Sequence, residues 1–228
     1  MNVEVDGALL VAHELKAPFA VMRQLAFALP EMDDDGEHLR SEMVKVSERA
    51  MRQVNDLMKV QRLEDGLFEM EPVAVRAVCD DVTSELMRLF DARGRGLKVR
   101  YKNRARLVNA NAELLFSVVY NFLVNAMRYS GEGTETELSV RDGGGRVKVS
   151  VRDYGPTLPV GVWREMKRGY VEKPLSIAMR PGSSGLGLYI ASKFSRYMGA
   201  EVGAVRHRDG TSFFVELPIS KQASLFSI

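Results

Sequence analysis

Val5, Ala8, Ala12, Leu15, Phe19, Met22, Ala26 and Leu29 recur at alternating spacings of three and four, and this pattern limits the first quarter of the chain to a helix with one apolar seam. Leu39, Met43, Val46, Ala50, Leu57 and Val60 repeat the pattern over a second stretch, Glu37 to Leu63, interrupted at Gln53. Only Pro30 to Gly36, with the acidic run Asp33-Asp34-Asp35, separates the two stretches, and so short a link folds two helices back as an antiparallel hairpin. A lone hairpin leaves its seam in water. Two hairpins from two chains close it as a four-helix bundle, so the periodicity predicts a homodimer.

His13 follows a seam residue and so lies off the seam, inside His13-Glu14-Leu15-Lys16-Ala17-Pro18. Pro18 removes the backbone bond to the Glu14 carbonyl and crowds it, a defect worth about 3 kcal/mol in a helix interior, so the helix should bend at the imidazole. On its own this describes equally a wet histidine beside a tolerated kink.

With 46% hydrophobic residues over 228 positions the chain can build a proper core. A net charge of +2 is too balanced to imply a polyanionic partner by itself, and nucleic acid is not expected. Cys79 is the single cysteine and cannot form an internal disulfide. No apolar run is long enough to span a bilayer, and the sequence reads as a cytoplasmic piece. Lys98, Arg100, Lys102, Arg104 and Arg106 are basic at every second position, which on a strand is one face; a charged sheet edge is favoured over a docking surface.

After Glu64-Asp65-Gly66 the texture changes. Ala74 to Arg93 reads as a helix, Leu97 to Tyr101 and Arg106 to Val108 as strands, and Glu113 to Tyr129 as a strongly apolar helix. Glu135 to Val140 and Arg146 to Asp153 alternate like paired strands around Gly143-Gly144-Gly145; a helix follows over Gly185 to Met198, then strands Glu201 to Arg206 and Thr211 to Leu217 around a turn at Asp209-Gly210. Strands and helices mix without the regular alternation of a doubly wound sheet, so the expectation is a two-layer α/β sandwich with helices on one face of a mixed sheet. The domains are then 1–65 for the hairpin, 66–72 for a linker, 73–221 for the sandwich and 222–228 for a tail.

Three motifs in the sandwich carry chemistry. Asn121 and Asn125 in Asn121-Phe122-Leu123-Val124-Asn125-Ala126-Met127-Arg128-Tyr129-Ser130 share a helix face, and their amide oxygens suit a magnesium ion that takes its other ligands from water and phosphate, or else hydrogen-bond the core. Arg128, one turn on, could meet a phosphate oxygen. Asp153-Tyr154-Gly155-Pro156 ends the Val147, Val149, Val151 strand, where a carboxylate can accept from an exocyclic amine such as that of adenine; the same tetrapeptide is also a common turn. Gly182-Ser183-Ser184-Gly185-Leu186-Gly187-Leu188 opens a helix and lets backbone N–H groups approach phosphate. It is not a P-loop, since no Lys-Ser/Thr follows the glycines, and Ile190 occupies the third small position of the dinucleotide fingerprint.

These boxes, in this order, resemble the core of bacterial sensor histidine kinases: His13 to Pro18 is similar to their phosphoacceptor box, Asn121 to Ser130 to their asparagine box, and Asp153 to Pro156 and Gly182 to Leu188 to their two glycine boxes. The resemblance implies an α + α/β protein, a dimeric helical hairpin followed by a Bergerat-type (GHKL) sandwich. It further implies that His13 takes the γ-phosphoryl of ATP with Glu14 as neighbouring acid/base, that Asn125 with Asn121 holds Mg²⁺, and that Arg128 and Tyr129 contact phosphate or the nucleotide edge. Asp153 would recognise adenine, Gly155, Gly185, Leu186 and Gly187 would shape the pocket, and a lid would lie over Gly169 to Ser184. The implied partners are a second copy, the receiver domain of a response regulator, and a sensor domain or protein outside this chain, which is compatible with a full-length protein at a membrane. Three departures stand out. Ala17 replaces a Thr or Asn that would orient a hydrolytic water, so phosphatase activity is expected to be weak. Thr157 replaces a glycine of the first glycine box, and Val162-Trp163-Arg164-Glu165-Met166 lacks the phenylalanines usual before the lid. The last two motivate an alternative, a non-catalytic pseudokinase-like scaffold that docks a response regulator.

Overall fold

The computed structural model describes residues 18, 21–22, 24–25, 36–63, 65–102, 106–167 and 186–221. His13, Glu14, Ala17, Gly185 and the expected lid lie outside these residues. The chain divides into two compact units, Met1–Asp65 and Gly66–Ile228.

In the first unit Pro18, Val21, Met22, Gln24 and Leu25 are helical, and helix α1 runs over Gly36–Arg62. Of its seam, Ala50 is buried and Met43, Val46, Leu57 and Val60 are half-buried. The buried carboxylate of Asp56 is 3.6 Å from Lys59 Nζ. Lys59 and Arg62 in the last turn complement the negative end of the helix dipole.

The second unit contains α2 (Val75–Asp91), α3 (Ala112–Tyr129), α4 (Val160–Lys167) and α5 (Leu186–Tyr197). Its strands are β1 (Glu71–Ala74), β2 (Gly96–Lys102), β3 (Leu107–Ala110), β4 (Glu135–Gly143), β5 (Arg146–Asp153), β6 (Glu201–His207) and β7 (Gly210–Pro218). Five of them form a sheet in the order β2-β4-β5-β7-β6, with β2 parallel to β4 and the remaining pairs antiparallel. β1 and β3 make a separate antiparallel pair. A mixed sheet with helices on one face is thus present. The short strand β1 had no counterpart in the sequence reading, because four residues containing Pro72 cannot display an alternation. Likewise α4, eight residues long, carries too few turns for a helical period to appear.

Period two divides the sheet into a dry and a wet side. Leu138, Val140, Val147, Val149, Val151, Phe213, Val215 and Leu217 are buried, whereas Arg141, Lys148, Arg152 and Glu216 alternate with them on the other face. The helices cover the dry side: Phe122 of α3 stacks on Phe213 of β7 with centroids 5.8 Å apart, and Leu186, Ile190 and Phe194 of α5 are fully buried beside α3. Because α3 is enclosed by α2, α5 and the sheet, its apolar residues extend well round the helix, which explains its nearly continuous hydrophobic run.

Asn111 caps α3, its side chain accepting from Leu114 N–H at 3.1 Å, while its amide nitrogen donates to the Glu69 carbonyl at 3.1 Å. The segment before β1 is held a second time, where Tyr197 Oη donates to the Phe68 carbonyl at 3.0 Å and the two rings meet edge to face. At the sheet edge, Lys98 and Arg100 of β2 pair with Glu135 and Glu137 of β4 at 3.2 and 3.0 Å, and Arg106 lies 3.8 Å from Asp142. Lys98, Arg100 and Lys102 of the basic stripe therefore lie along the edge strand β2, and Lys98 and Arg100 are paired by its neighbour. Arg104 lies outside the described residues.

Candidate nucleotide site

Three elements converge where α3 and β5 end and α5 begins. Asn121, Asn125, Arg128 and Tyr129 lie in the C-terminal half of α3 and are all half-buried. Asn121 donates from its amide nitrogen to the Ser117 carbonyl at 2.9 Å, which turns its oxygen outward from the helix. That oxygen meets α5: a Cβ added to Gly187 would lie 2.9 Å from Asn121 Oδ1. The asparagine box and the second glycine box are therefore in contact through an absent side chain.

The first glycine box meets the same helix end. A Cβ at Gly155 would stand 2.1 Å from the Tyr129 carbonyl oxygen, so only glycine lets the turn after β5 approach the C-terminus of α3. Ser130, buried at that terminus, receives the Tyr154 N–H at 3.4 Å. Between these contacts sits Asp153, fully buried at the end of β5. Its Oδ1 accepts from the backbone N–H groups of Gly155 and Thr211, each at 3.2 Å. A buried carboxylate is costly unless hydrogen-bonded, and these two donors offset part of that cost while fixing its orientation.

Thr211 is the residue that sequence reasoning missed. It is fully buried, and its Oγ1 accepts from Leu158 N–H at 3.3 Å while its own N–H holds Asp153. The signal was present only as the Asp209-Gly210 turn; the link to Asp153 comes from the β5–β7 register, which pairs residues 58 positions apart.

Arg152, beside the site on the wet face, donates through Nη1 to the Asp153 carbonyl at 2.8 Å and through Nη2 to Asp209 at 2.6 Å, and its guanidinium lies 4.5 Å from the Tyr154 ring centroid. Desolvation raises the Asp209 carboxyl, but the hydrogen bond from Arg152, a backbone hydrogen bond and the nearby charges of Arg152 and His207 together outweigh it and leave the group below its usual value. Burial, followed by the Arg152 charge, pushes His207 below its usual value, and its Nε2 lies 2.8 Å from Ser212 Oγ.

Leu186 is fully buried, so its side chain serves the core. Thr157 accepts from Arg206 at 3.5 Å, which ties the departed glycine position to β6. Trp163 fills the phenylalanine-poor region, its Nε1–H donating to the Ala204 carbonyl of edge strand β6 at 3.2 Å, with Leu158 and Met166 buried nearby in sequence. The donor set fits an adenine nucleotide with magnesium: amide oxygens for a hard cation, a buried carboxylate for an amine, and glycines that leave room for a close ligand.

Residues 110–221 match the family described as histidine kinase-, DNA gyrase B-, and HSP90-like ATPase. The chain is 26% identical to the alginate biosynthesis sensor protein KinB of Pseudomonas aeruginosa over 96% of its own length and 37% of that protein. It is 28% identical to the probable sensor histidine kinase TcrY of Mycobacterium tuberculosis over 91% of its length and 44% of that protein. It thus spans less than half of these curated relatives. Histidine kinase ThkA, solved in complex with response regulator protein TrrA, shares the fold with a TM-score of 0.65 at 20% identity, covering 92% of this chain and 60% of that one. An ATPase domain of this family over residues 110–221, together with likeness to sensor kinases along nearly the whole chain, supports a bacterial two-component sensor histidine kinase.

Proposed function

We propose that this chain is a kinase core that autophosphorylates His13 from Mg-ATP and passes the phosphoryl group to an aspartate of a response regulator. The observation that carries the reading is the convergence of Asn121, Tyr129, Asp153, Gly155 and Gly187 in one site, in a chain whose sequence also bears the His13 box. Asp153 accepts the exocyclic amine of adenine, and Arg128 and Tyr129 meet phosphate or the nucleotide edge. Gly155 and Gly187, with Gly185 and Leu186, leave the backbone open to the nucleotide. Asn125 with Asn121 holds Mg²⁺, whose contribution is neutralisation of phosphate charge. Glu14 keeps the attacking His13 ring nitrogen unprotonated; the γ-phosphoryl bond to ADP breaks as the bond to nitrogen forms.

The same reading makes the protein a homodimer through its helical hairpins. Met51 and Met58, seven residues apart on α1 and 60% and 58% exposed, are large apolar groups that a second copy could cover. A receiver domain is the acceptor partner, supported by the ThkA–TrrA complex, and an upstream sensor delivers the signal. No helix among the described residues is long and apolar enough to cross a membrane, in keeping with a cytoplasmic core. Ala17 gives no side chain for a hydrolytic water, so transfer is favoured over dephosphorylation of the regulator.

The test is incubation with Mg-ATP labelled at the γ-phosphate. Acid-labile, alkali-stable label on the wild type, lost in His13→Ala and Asn125→Asp, is the expected result. An unlabelled wild type that still binds a response regulator would favour the pseudokinase-like scaffold.

A further inference from the structure

We propose that Arg152 and Asp209 form a positioning pair that sets the direction of the Asp153 carboxylate and through it the preference of the site for adenine over other bases. The proposal rests on the reading of Asp153 as the base acceptor.

Two backbone donors orient the carboxylate, one from the turn after β5 and one from the start of β7. The turn is a few residues at a strand end, and Thr211 lies at the start of β7 directly after a hairpin turn. One guanidinium grips both. Nη1 of Arg152 binds the carbonyl of Asp153, Nη2 binds Asp209 in the hairpin turn, and the plane lies against Tyr154, the residue between Asp153 and Gly155. Arg152 and Asp153 are adjacent on β5, so the first reaches the wet side of the sheet and the second the dry side. The clamp thus acts from behind the strand and need not touch a ligand.

Gly210 makes the arrangement possible. A Cβ there would lie 2.1 Å from the Asp153 oxygen and 2.8 Å from Arg152 Nη1, directly in the path of their hydrogen bond. The position combines φ +147° with this crowding, so the hairpin can lie against the guanidinium only with glycine. A fork of donors is needed for the two directions; a lysine ammonium at the same place would supply a charge without the planar geometry.

The experiment measures binding of ADP and IDP, with magnesium, to the 228-residue chain by isothermal titration calorimetry. IDP carries a carbonyl where ADP carries the 6-amino group. The wild type is expected to prefer ADP. Arg152→Met should cut that preference about tenfold, the worth of one hydrogen bond to a charged group, by weakening ADP while IDP stays nearly constant. Arg152→Lys should recover part of the preference. Asp209→Asn, on a side chain 67% exposed and so without a folding defect, should lower it in the same direction. Lys148→Met, which removes the 2.7 Å pair with Glu216 from the same face of β5, should leave the ratio unchanged.

Equal loss of ADP and IDP binding in Arg152→Met and an unchanged ratio in Asp209→Asn would overturn the proposal, since a structural support weakens both ligands alike. A wild type indifferent to the base would refute the role of Asp153 itself. A wild-type preference that survives both substitutions would refute the clamp alone.

Discussion

Replacing Gly155 with alanine would place a methyl carbon 2.1 Å from the carbonyl oxygen of Tyr129 and 2.6 Å from its carbonyl carbon. Ordinary contact begins at about 3.4 Å, so the turn after β5 and the end of α3 must part by about 1 Å. Both obstructing atoms are backbone and neither can rotate aside. The cost falls at the upper end of overpacking, about 3 kcal/mol, which for a domain of this size is a fall in Tm of about 6 to 12 °C. Separation also breaks the Gly155 N–H bond to Asp153 Oδ1, so ADP affinity should drop about tenfold. Two other glycines isolate the cause. Gly144→Ala meets nothing within 4 Å and carries only the strain of φ +60°, about 1 kcal/mol, with no change in affinity. Gly187→Ala meets the tip of Asn121, which can swing away, so stability should change by less than about 1 kcal/mol while Mg-nucleotide binding weakens. Thermal unfolding by circular dichroism and calorimetric titration with Mg-ADP would measure both quantities. A Gly155→Ala protein with wild-type Tm and affinity would refute the close approach on which the site is built.

Cys79 is fully buried, and burial, followed by the neighbouring Asp80 charge, pushes its thiol up to about 12; maleimide at neutral pH should label it only after denaturant is added, and rapid labelling of the folded chain would contradict this packing. His207 has its pKa lowered from 6.5, so as pH falls the unfolded chain takes up the proton first and stability is lost from about pH 6.5 downward, with little change above; His207→Gln should flatten that part of the unfolding profile, and an unaltered profile would exclude His207 as its source. Tyr197→Phe keeps the ring contact but removes the bond to the Phe68 carbonyl, at a cost of about 1 kcal/mol, and should speed hydrogen exchange in the segment before β1; unchanged exchange would mean that Asn111 alone holds it.

Legibility followed the range of the interactions. The α3 helix, with Asn111 able to cap it and an apolar run that ends at Tyr129, is specified within its own length, and the sequence reading places its boundaries to within a residue. The hairpins β4–β5 and β6–β7 announce themselves by alternation and by Gly144-Gly145 and Asp209-Gly210. β1 and α4 were invisible because four and eight residues give no period, and what holds α4 is a distant carbonyl, that of Ala204, accepting from Trp163. A phenylalanine count before the expected lid could not register that indole, although it occupies the same stretch of chain. Thr211 was missed for a related reason: nothing in Thr211-Ser212-Phe213 shows which strand it will face.

The motifs of the site were legible as residue types, yet what makes them one site is a set of missing side chains. Gly155 admits the Tyr129 carbonyl, Gly187 admits the Asn121 amide, and Gly210 admits the Asp153 carbonyl together with the Arg152 hydrogen bond. Each of these pairs joins segments far apart in the chain, so each glycine is a contact rather than a hinge. A glycine in a sequence signals freedom or proximity without distinguishing them. Here φ is positive only at Gly210 among the three, so at Gly155 and Gly187 close packing, not a left-handed backbone, is what excludes a side chain. That difference predicts how substitutions will act: where the obstacle is backbone the fold suffers, and where it is the end of a side chain the ligand site suffers first.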